Sequence, residues 1–237
     1  ESIENCVREL GCGPLDVFQV ARIDTELAKQ NGEEHFPRES FDTIVEYIEQ
    51  GAVGGISLSE VTEAQIRAIH KEYGKYLCCV EVELSLFSTD ILHNGVAKAC
   101  NELGLPIICY SPLGRGLLTG KIQSTEDIPE GDFRKVLKRF HGDSIKQNLV
   151  LVQFLQKILS QRPDSEKTTT PQLALAWIRS FNKKYTNTKL IPIPGGTTVD
   201  KVTQNMSEFE LSDKELDQIN DFLKSFETQG DRYEWAA

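Results

Sequence analysis

The chain has 237 residues, 39% of them hydrophobic, enough to bury the core of one domain of α/β-barrel size or slightly less. Its formal net charge of −10 repels polyphosphate backbones, so nucleic acid is not an expected partner and any phosphate has to be gripped locally. No apolar run approaches the roughly 18 residues of a membrane span and no N-terminal stretch has a signal peptide's layout, so no membrane partner is expected and a cytoplasmic setting is, with the nucleus left open.

The chain opens on Glu1 in a helical pattern (SIENCVREL), as if it began within a fold. Residues 15–22 (LDVFQVAR) are apolar enough for a buried strand, and residues 39–50 carry Phe41, Ile44, Val45 and Ile48 at helical spacing before Gly51. Residues 52–57 (AVGGIS) read as the next strand. Thr62 then opens a helix with Gln65 as its capping partner, stapled by Val61 and Ile66. A strand over 77–86 (LCCVEVELSL) precedes a helix over 90–103, closed by Gly104 and Pro106. Residues 107–110 are strand again. A helix follows over 145–159, with Ile145, Leu149, Val152, Leu155 and Leu159 on one stripe, and another starts at Thr170-Pro171, with Thr170 as N-cap and Pro171 in the first turn. Residues 189–193 (KLIPI) make a fifth strand, followed by a short helix over 198–205 and a last one from Ser212, capped by Glu215 and stapled by Leu211 and Leu216. The polar stretches 30–40, 123–143 and 162–169 read as loops, and no linker or composition break marks a second domain.

This alternation implies parallel strands with crossover helices, in an open doubly wound sheet or part of a (β/α) barrel. Five units are counted where a closed barrel needs eight. Ligands of such folds sit at the C-terminal strand tips, with phosphates favouring the loops after the last strands. Two glycine-bearing loops fall there: YSPLGRGLLTG (110–120) after the fourth strand, and Pro194-Gly195-Gly196-Thr197-Thr198 after the fifth, with Lys201 one helical turn on. Glycines allow close approach of backbone N–H groups to an anion, and a helix N-terminus favours one. The second loop read alone is as well explained as a tight turn with a helix cap; two such loops on consecutive strands shift the weight toward phosphate.

The segments GISLSEV, VEVELSLF, YSPLGRGLLTG, IPEGDFR and IPIPGG, the last followed by Lys201 and Asn205, resemble the second half of the aldo-keto reductases, with the strongest likeness to the pyridoxal-reductase-like branch. The resemblance implies an N-terminally truncated (β/α)8 TIM barrel, strands four to eight, as a single domain over 1–237. It implies NADP(H) as cofactor and a small-molecule carbonyl compound as substrate, pyridoxal first among the candidates. Tyr110 matches the aromatic that stacks on the nicotinamide. Ser111, Pro112, Leu113, Arg115 and Gly116 match the loop that wraps the pyrophosphate. Gly195, Gly196, Thr197, Lys201 and Asn205 match the segment that holds the 2′-phosphate and adenine, with Asp200 beside Lys201 opposing that charge. Ser57 matches a carboxamide contact, whereas Leu58 stands for the usual Asn and Glu81 for the usual Gln. A buried, paired carboxylate explains Glu81 equally well.

The resemblance also implies hydride transfer to a carbonyl carbon with a proton donated by Tyr, tuned by Lys and Asp. Those three belong to earlier strands, so no catalytic residue is expected here, and the position of the family's His is Ala21. Arg22 beside it is a substrate-pocket candidate, although pairing with Asp24 is the favoured reading. Tyr233 and Trp235 in the tail DRYEWAA are candidates for a lid, with a frayed terminus equally open. His70 and His93 are placed in helices and His35 and His141 in polar loops; no His or Cys pair has zinc spacing, so no metal is expected. Cys6, Cys12, Cys78, Cys79, Cys100 and Cys109 read as reduced, buried apolar residues. Two functions stay open: an NADPH-dependent aldehyde or ketone reductase completed by a longer parent chain, and a catalytically inactive NADP-binding module. The oligomeric state is not readable.

Overall fold

The computed structural model describes residues 1–163 and 168–233. Five strands are hydrogen-bonded in chain order, and the first three run parallel. The chain divides into two compact units. The first comprises Glu1–Val82, Asp90–Ile108 and Tyr185–Ile191, and the second Glu83–Thr89, Cys109–Lys184 and Pro192–Ala237.

The first unit contains α1 (Ser2–Leu10), β1 (Phe18–Val20), α2 (Thr25–Gln30), α3 (Arg38–Glu49), β2 (Ile56–Ser59), α4 (Glu63–Tyr73), most of β3 (Leu77–Glu83) and α5 (Val96–Leu103). The starts of β4 (Ile107–Tyr110) and β5 (Leu190–Pro192) belong to it as well. The register pairs Phe18 with Ile56 and Val20 with Leu58, then Leu58 with Val80, with a shift between Ile56 and Ser57. Val80 N–H donates to Pro106 O (2.9 Å) and Ile107 N–H to Lys189 O (2.8 Å), which continues the sheet. All four residues of β2 are buried, as a parallel strand covered on both faces requires. Ile56, Leu58, Ile66, Ile69, Val80 and Ile107 have no exposed surface. Phe36, Phe41 and Tyr73 pack edge-on or tilted with centroids 5.1 to 5.8 Å apart. Burial, then the hydrogen bond to Asp42 Oδ1 (2.7 Å), pushes the Tyr73 hydroxyl up to about 12.

The second unit carries the ends of β3, β4 and β5 with α6 (Gly142–Ser160), α7 (Thr170–Ser180), α8 (Val199–Met206) and α9 (Asp213–Ser225). Leu84 N–H donates to Tyr110 O (3.4 Å) and Ile193 N–H to Cys109 O (3.0 Å), so the strand ends stay adjacent. Helix α7 is buried at Leu173–Ile178, and its Trp177 Nε1–H donates to Asn220 Oδ1 on α9 (3.1 Å). Phe154 of α6 stacks on Phe222 of α9 with centroids 4.1 Å apart.

The predicted capping boxes at Thr62/Gln65 and Ser212/Glu215 are both formed. Four sequence expectations need correction. Helix α7 is capped by Thr169, one residue before the predicted Thr170, because Gln172 reaches back to the Thr169 N–H (3.0 Å). The helix expected over 90–103 begins only at Val96. Gly95 interrupts it at φ 92, where an added Cβ would lie 1.8 Å from Glu63 Oε2, and His93 sits in the preceding turn. Residues 123–143 are a succession of 3-10 turns that bury Ile128, Leu137, Arg139 and Phe140, not a solvated loop. Only Cys100 and Cys109 are buried, while Cys78 and Cys79 are half-buried and Cys6 and Cys12 exposed; all six are free thiols.

Candidate functional site

A cavity of about 720 Å³ lies in the second unit, at the ends of β4 and β5. Its wall is formed by Tyr110–Leu113, Arg115 and Gly116 on one side and Ile193–Gly195, Thr197, Lys201 and Asn205 on the other, with Thr169–Pro171 at the head of α7. Both glycine loops therefore face one space, large enough for a cofactor-sized ligand. Four of the residues lining it are basic, Arg115, Lys121, Arg134 and Lys201, and none is acidic, within a chain of net charge −10. Arg115 and Arg134 are ion-paired with Glu83 (3.4 Å) and Asp132 (2.6 Å), neither of which lines the cavity, and Lys121 and Lys201 are exposed, so the lining itself carries a surplus of cations that favours an anion.

The loop after β4 is held in a strained backbone. Ser111 and Arg115 have φ of 49 and 55, and Gly114 and Gly116 have φ of 57 and 96. A Cβ on Gly114 would sit 2.7 Å from the Phe87 ring, so the position needs glycine on both counts. Gly114 N–H donates to Ser111 O (2.9 Å) and Gly116 N–H to Leu113 O (3.1 Å). Those two amides are thus used within the turn, and the cations, more than a row of open N–H groups, give the wall its charge.

Arg134 is the brace on the outer side. Its Nη1–H donates to Arg115 O (3.1 Å), while Nε and Nη2 bond the two oxygens of Asp132 (2.9 and 2.6 Å). The Arg134 side chain and then its backbone N–H hold the Asp132 carboxyl down at about 2, and Arg134 is raised in turn. Across the cavity, Thr198 caps α8 by accepting from Lys201 N–H (3.3 Å), and Lys201 Nζ donates to Thr197 Oγ1 (2.8 Å). Asn205 is 7% exposed, and its carbonyl accepts from Arg179 Nη2–H (3.0 Å).

Of the residues predicted from the sequence, Tyr110, Ser111, Pro112, Leu113, Arg115, Gly116, Gly195, Thr197, Lys201 and Asn205 line this one cavity. Gly196 belongs to the same loop but outside that lining; a Cβ there would meet Val202 Cγ2 at 2.6 Å. Tyr233 O–H donates to the Tyr110 hydroxyl (3.2 Å), and the Arg115 guanidinium lies 4.5 Å above the Tyr233 ring. Tyr233 is thus folded back onto Tyr110, and Trp235 lies outside the described residues. Ser57 and Glu81 belong to the first unit. Ser57 is buried, donating to Gln19 Oε1 (3.0 Å) and accepting from the Cys79 thiol (3.3 Å). Glu81 is half-buried on β3, its carbonyl accepting from Glu60 N–H (2.9 Å). Arg22 pairs with Glu60 Oε2 (3.5 Å) instead of Asp24, whose carboxylate caps α2 through Leu27 N–H (2.8 Å). Ala21 is exposed just past β1. His141 Nε2 bonds the Lys135 carbonyl, and the His70 ring packs against Gly74. Among the described residues no group of acidic, His or Cys side chains could hold a metal ion, and no helix is long and apolar enough to cross a membrane.

Sequence reasoning missed Lys121, Arg134 and the Thr169–Pro171 wall. A signal existed for the first two, because basic residues beside a glycine turn in an acidic chain are themselves informative.

Residues 1–224 match the Aldo/keto reductase family. The chain is 57% identical over 241 residues to a Saccharomyces cerevisiae protein named "Putative pyridoxal reductase", covering all of this chain and 69% of that protein. It is 32% identical to the Schizosaccharomyces pombe protein "Aldo-keto reductase yakc", whose name specifies NADP(+), covering 98% of this chain and 64% of the relative. Among solved structures it superposes on the glycerol dehydrogenase AKR11B4 of Gluconobacter oxydans with a TM-score of 0.74 at 19% identity, covering 95% of this chain and 63% of that one. A thermostable aldo-keto reductase, Tm1743, gives 0.64 at 19% identity, covering 93% and 64%. The chain thus spans about two thirds of the length of these relatives. The family match runs from residue 1 to 224 of this chain, and the expectation of a C-terminal portion with an incomplete barrel is not confirmed by it. The match and the identity show that the chain belongs to the aldo/keto reductase family, oxidoreductases of TIM-barrel-type α/β fold that use NAD(P)H on small carbonyl substrates.

Proposed function

We propose that the cavity of the second unit binds NADP(H), as part of a reductase that converts an aldehyde or ketone to an alcohol, with pyridoxal the leading substrate. The observation that carries this reading is a cavity of about 720 Å³ lined by Arg115, Lys121, Arg134 and Lys201 and by no acidic residue. The residues fit the group: guanidinium and ammonium donors suit phosphate oxygens, and the hydroxyls of Ser111 and Thr197 supplement them. When bound, NADPH supplies the hydride that reduces the carbonyl carbon. The protein's part is to bind and orient. Lys201, its Nζ hydrogen-bonded to Thr197, suits the 2′-phosphate of the adenosine ribose, which NADP(H) carries and NAD(H) lacks. The ring of Tyr110, with its hydroxyl tied to Tyr233, offers an aromatic face at the strand tip. The substrate assignment leans on the name of the 57%-identical yeast relative.

A second reading is a cofactor-binding module without turnover, which needs only the cavity and its two loops; Ala21, where the family's His is expected, does not separate the two, because the pyridoxal-reductase-like branch carries the same replacement. The test of both is titration of the full-length protein with NADPH and NADH, followed by intrinsic-fluorescence quenching, then NADPH oxidation with a panel of aldehydes that includes pyridoxal. Saturable binding with turnover of pyridoxal supports the reductase. Binding without turnover of any aldehyde supports the module, and no binding of either dinucleotide sinks both.

A further inference from the structure

Glu83 ends β3 with 1% of its surface exposed, and nothing in the proposed function uses it. Its carboxylate is the centre of a buried ion cluster. Oε2 lies 3.4 Å from Arg115 Nη2, and Oε1 accepts from the Ser88 hydroxyl (3.0 Å) and faces Arg139 Nη1 at 3.7 Å. Arg139 Nη1–H also donates to Ser88 Oγ (3.2 Å). The same two arginines hold the returning tail, Arg115 through Arg232 O (2.6 Å) and Arg139 through Gly230 O (2.9 Å).

Arg115 carries two burdens. Its backbone sits at φ 55 between Gly114 and Gly116, a conformation that costs a non-glycine residue about 1 kcal/mol or more and persists only when its surroundings enforce it. Its side chain, 8% exposed, reaches inward to Glu83 while the residue lines the cavity. A buried carboxylate is the charged partner of that side chain, beside the Arg232 carbonyl (2.6 Å), and it helps to pin the left-handed backbone to which the side chain is attached.

We propose that Glu83 is a positioning residue: through Arg115 it holds the left-handed run 114–116 in the shape that binds the cofactor's diphosphate. The inference rests on the NADP(H) reading of the cavity. Because Glu83 acts through another side chain, its effect has to disappear when that side chain is removed. The experiment is a double-mutant cycle in the full-length protein, with NADPH affinity read by fluorescence titration and folding by thermal melting. Glu83→Gln weakens NADPH binding about tenfold, whereas in an Arg115→Gly background, where glycine accepts the positive φ without a pin, Glu83→Gln changes affinity less than about twofold. The same loss in both backgrounds, or Glu83→Gln binding NADPH like the wild type, overturns the proposal. Should Glu83→Gln not fold, Ser88→Ala removes the hydroxyl that donates to Oε1 and accepts from Arg139 Nη1–H, leaving the Glu83 carboxylate in place. A variant that melts like the wild type but binds about threefold more weakly supports the proposal, and unchanged affinity overturns it. A wild type that binds no dinucleotide defeats the cavity reading itself, which is a distinguishable result.

Discussion

The two loops of the cavity are built differently. The loop after β4 is locked: four consecutive or near-consecutive residues have positive φ, Gly114 is packed against Phe87, and Arg134 and Glu83 clamp Arg115 from two directions. The loop after β5 is open. Residues 195–200 are exposed, Gly195 has ordinary backbone angles with nothing within 4 Å of an added Cβ, and the loop is ordered by a helix cap, one Lys–Thr hydrogen bond and a long one from Asn205 Nδ2–H to Gly195 O (3.4 Å). A preformed loop loses little entropy when its ligand binds, while an adaptable one can close over the ligand afterwards. Rigidity on one wall and adjustability on the other suit a dinucleotide that has to enter and leave.

Substitutions that exchange those properties test the contrast. The largest effect is expected at Gly114: Gly114→Ala meets both a positive φ and a ring at 2.7 Å and should destabilise the protein by about 3 kcal/mol, read as a lowered Tm. A melt within about 0.5 kcal/mol of the wild type would show that the locked loop is not locked. Next is Lys201→Ala, which should weaken NADPH about tenfold and leave NADH within about twofold in parallel titrations. Equal losses for both nucleotides would place Lys201 away from the distinguishing phosphate.

A smaller, pH-dependent effect is expected at Asp132, whose folded-state value is lowered to about 2 by Arg134. A lowered carboxylate contributes its stability in full above its unfolded value of about 4 and loses it as pH falls toward about 2. Asp132→Asn should therefore melt below the wild type at neutral pH, and the gap should shrink through that acid window; a gap independent of pH would remove the Asp132–Arg134 pair as its cause. The smallest effect is at Gly195, where Gly195→Ala should alter Tm by less than about 0.5 kcal/mol equivalent. A large drop there would mean that the open loop is as constrained as the closed one.

Much of this architecture was legible because local rules and tertiary structure agree. Thr62 with Gln65 and Ser212 with Glu215 cap the helices that follow them, and the apolar run at 107–110 is a strand with those bounds. Where the rules failed, a physical reason is visible. Helix α2 (TELAKQ) is a single short segment with too few apolar positions to show a period, and it forms because Asp24 caps it and Ala28 is buried. The stretch 123–143 buries Ile128, Leu137 and Phe140 without helical or strand spacing, since 3-10 turns impose neither. In the site, Tyr110 and the glycine loops were readable from spacing and resemblance. Glu83 was not, because VEVE alternation puts Glu81 and Glu83 at equivalent strand positions and only the fold shows which of them meets Arg115. Arg22 was assigned its nearest acid in sequence, yet Asp24 was already committed to a helix N-terminus and Glu60 became the partner.

The most direct test of the account is hydrogen exchange of the full-length protein with and without saturating NADPH, resolved to peptides covering 111–120 and 194–205. Binding in the described cavity predicts that the open loop after β5 gains strong protection, that the loop after β4, already slow, gains little, and that both changes vanish without nucleotide. Protection confined to other segments, with both loops exchanging as in the free protein, would contradict it.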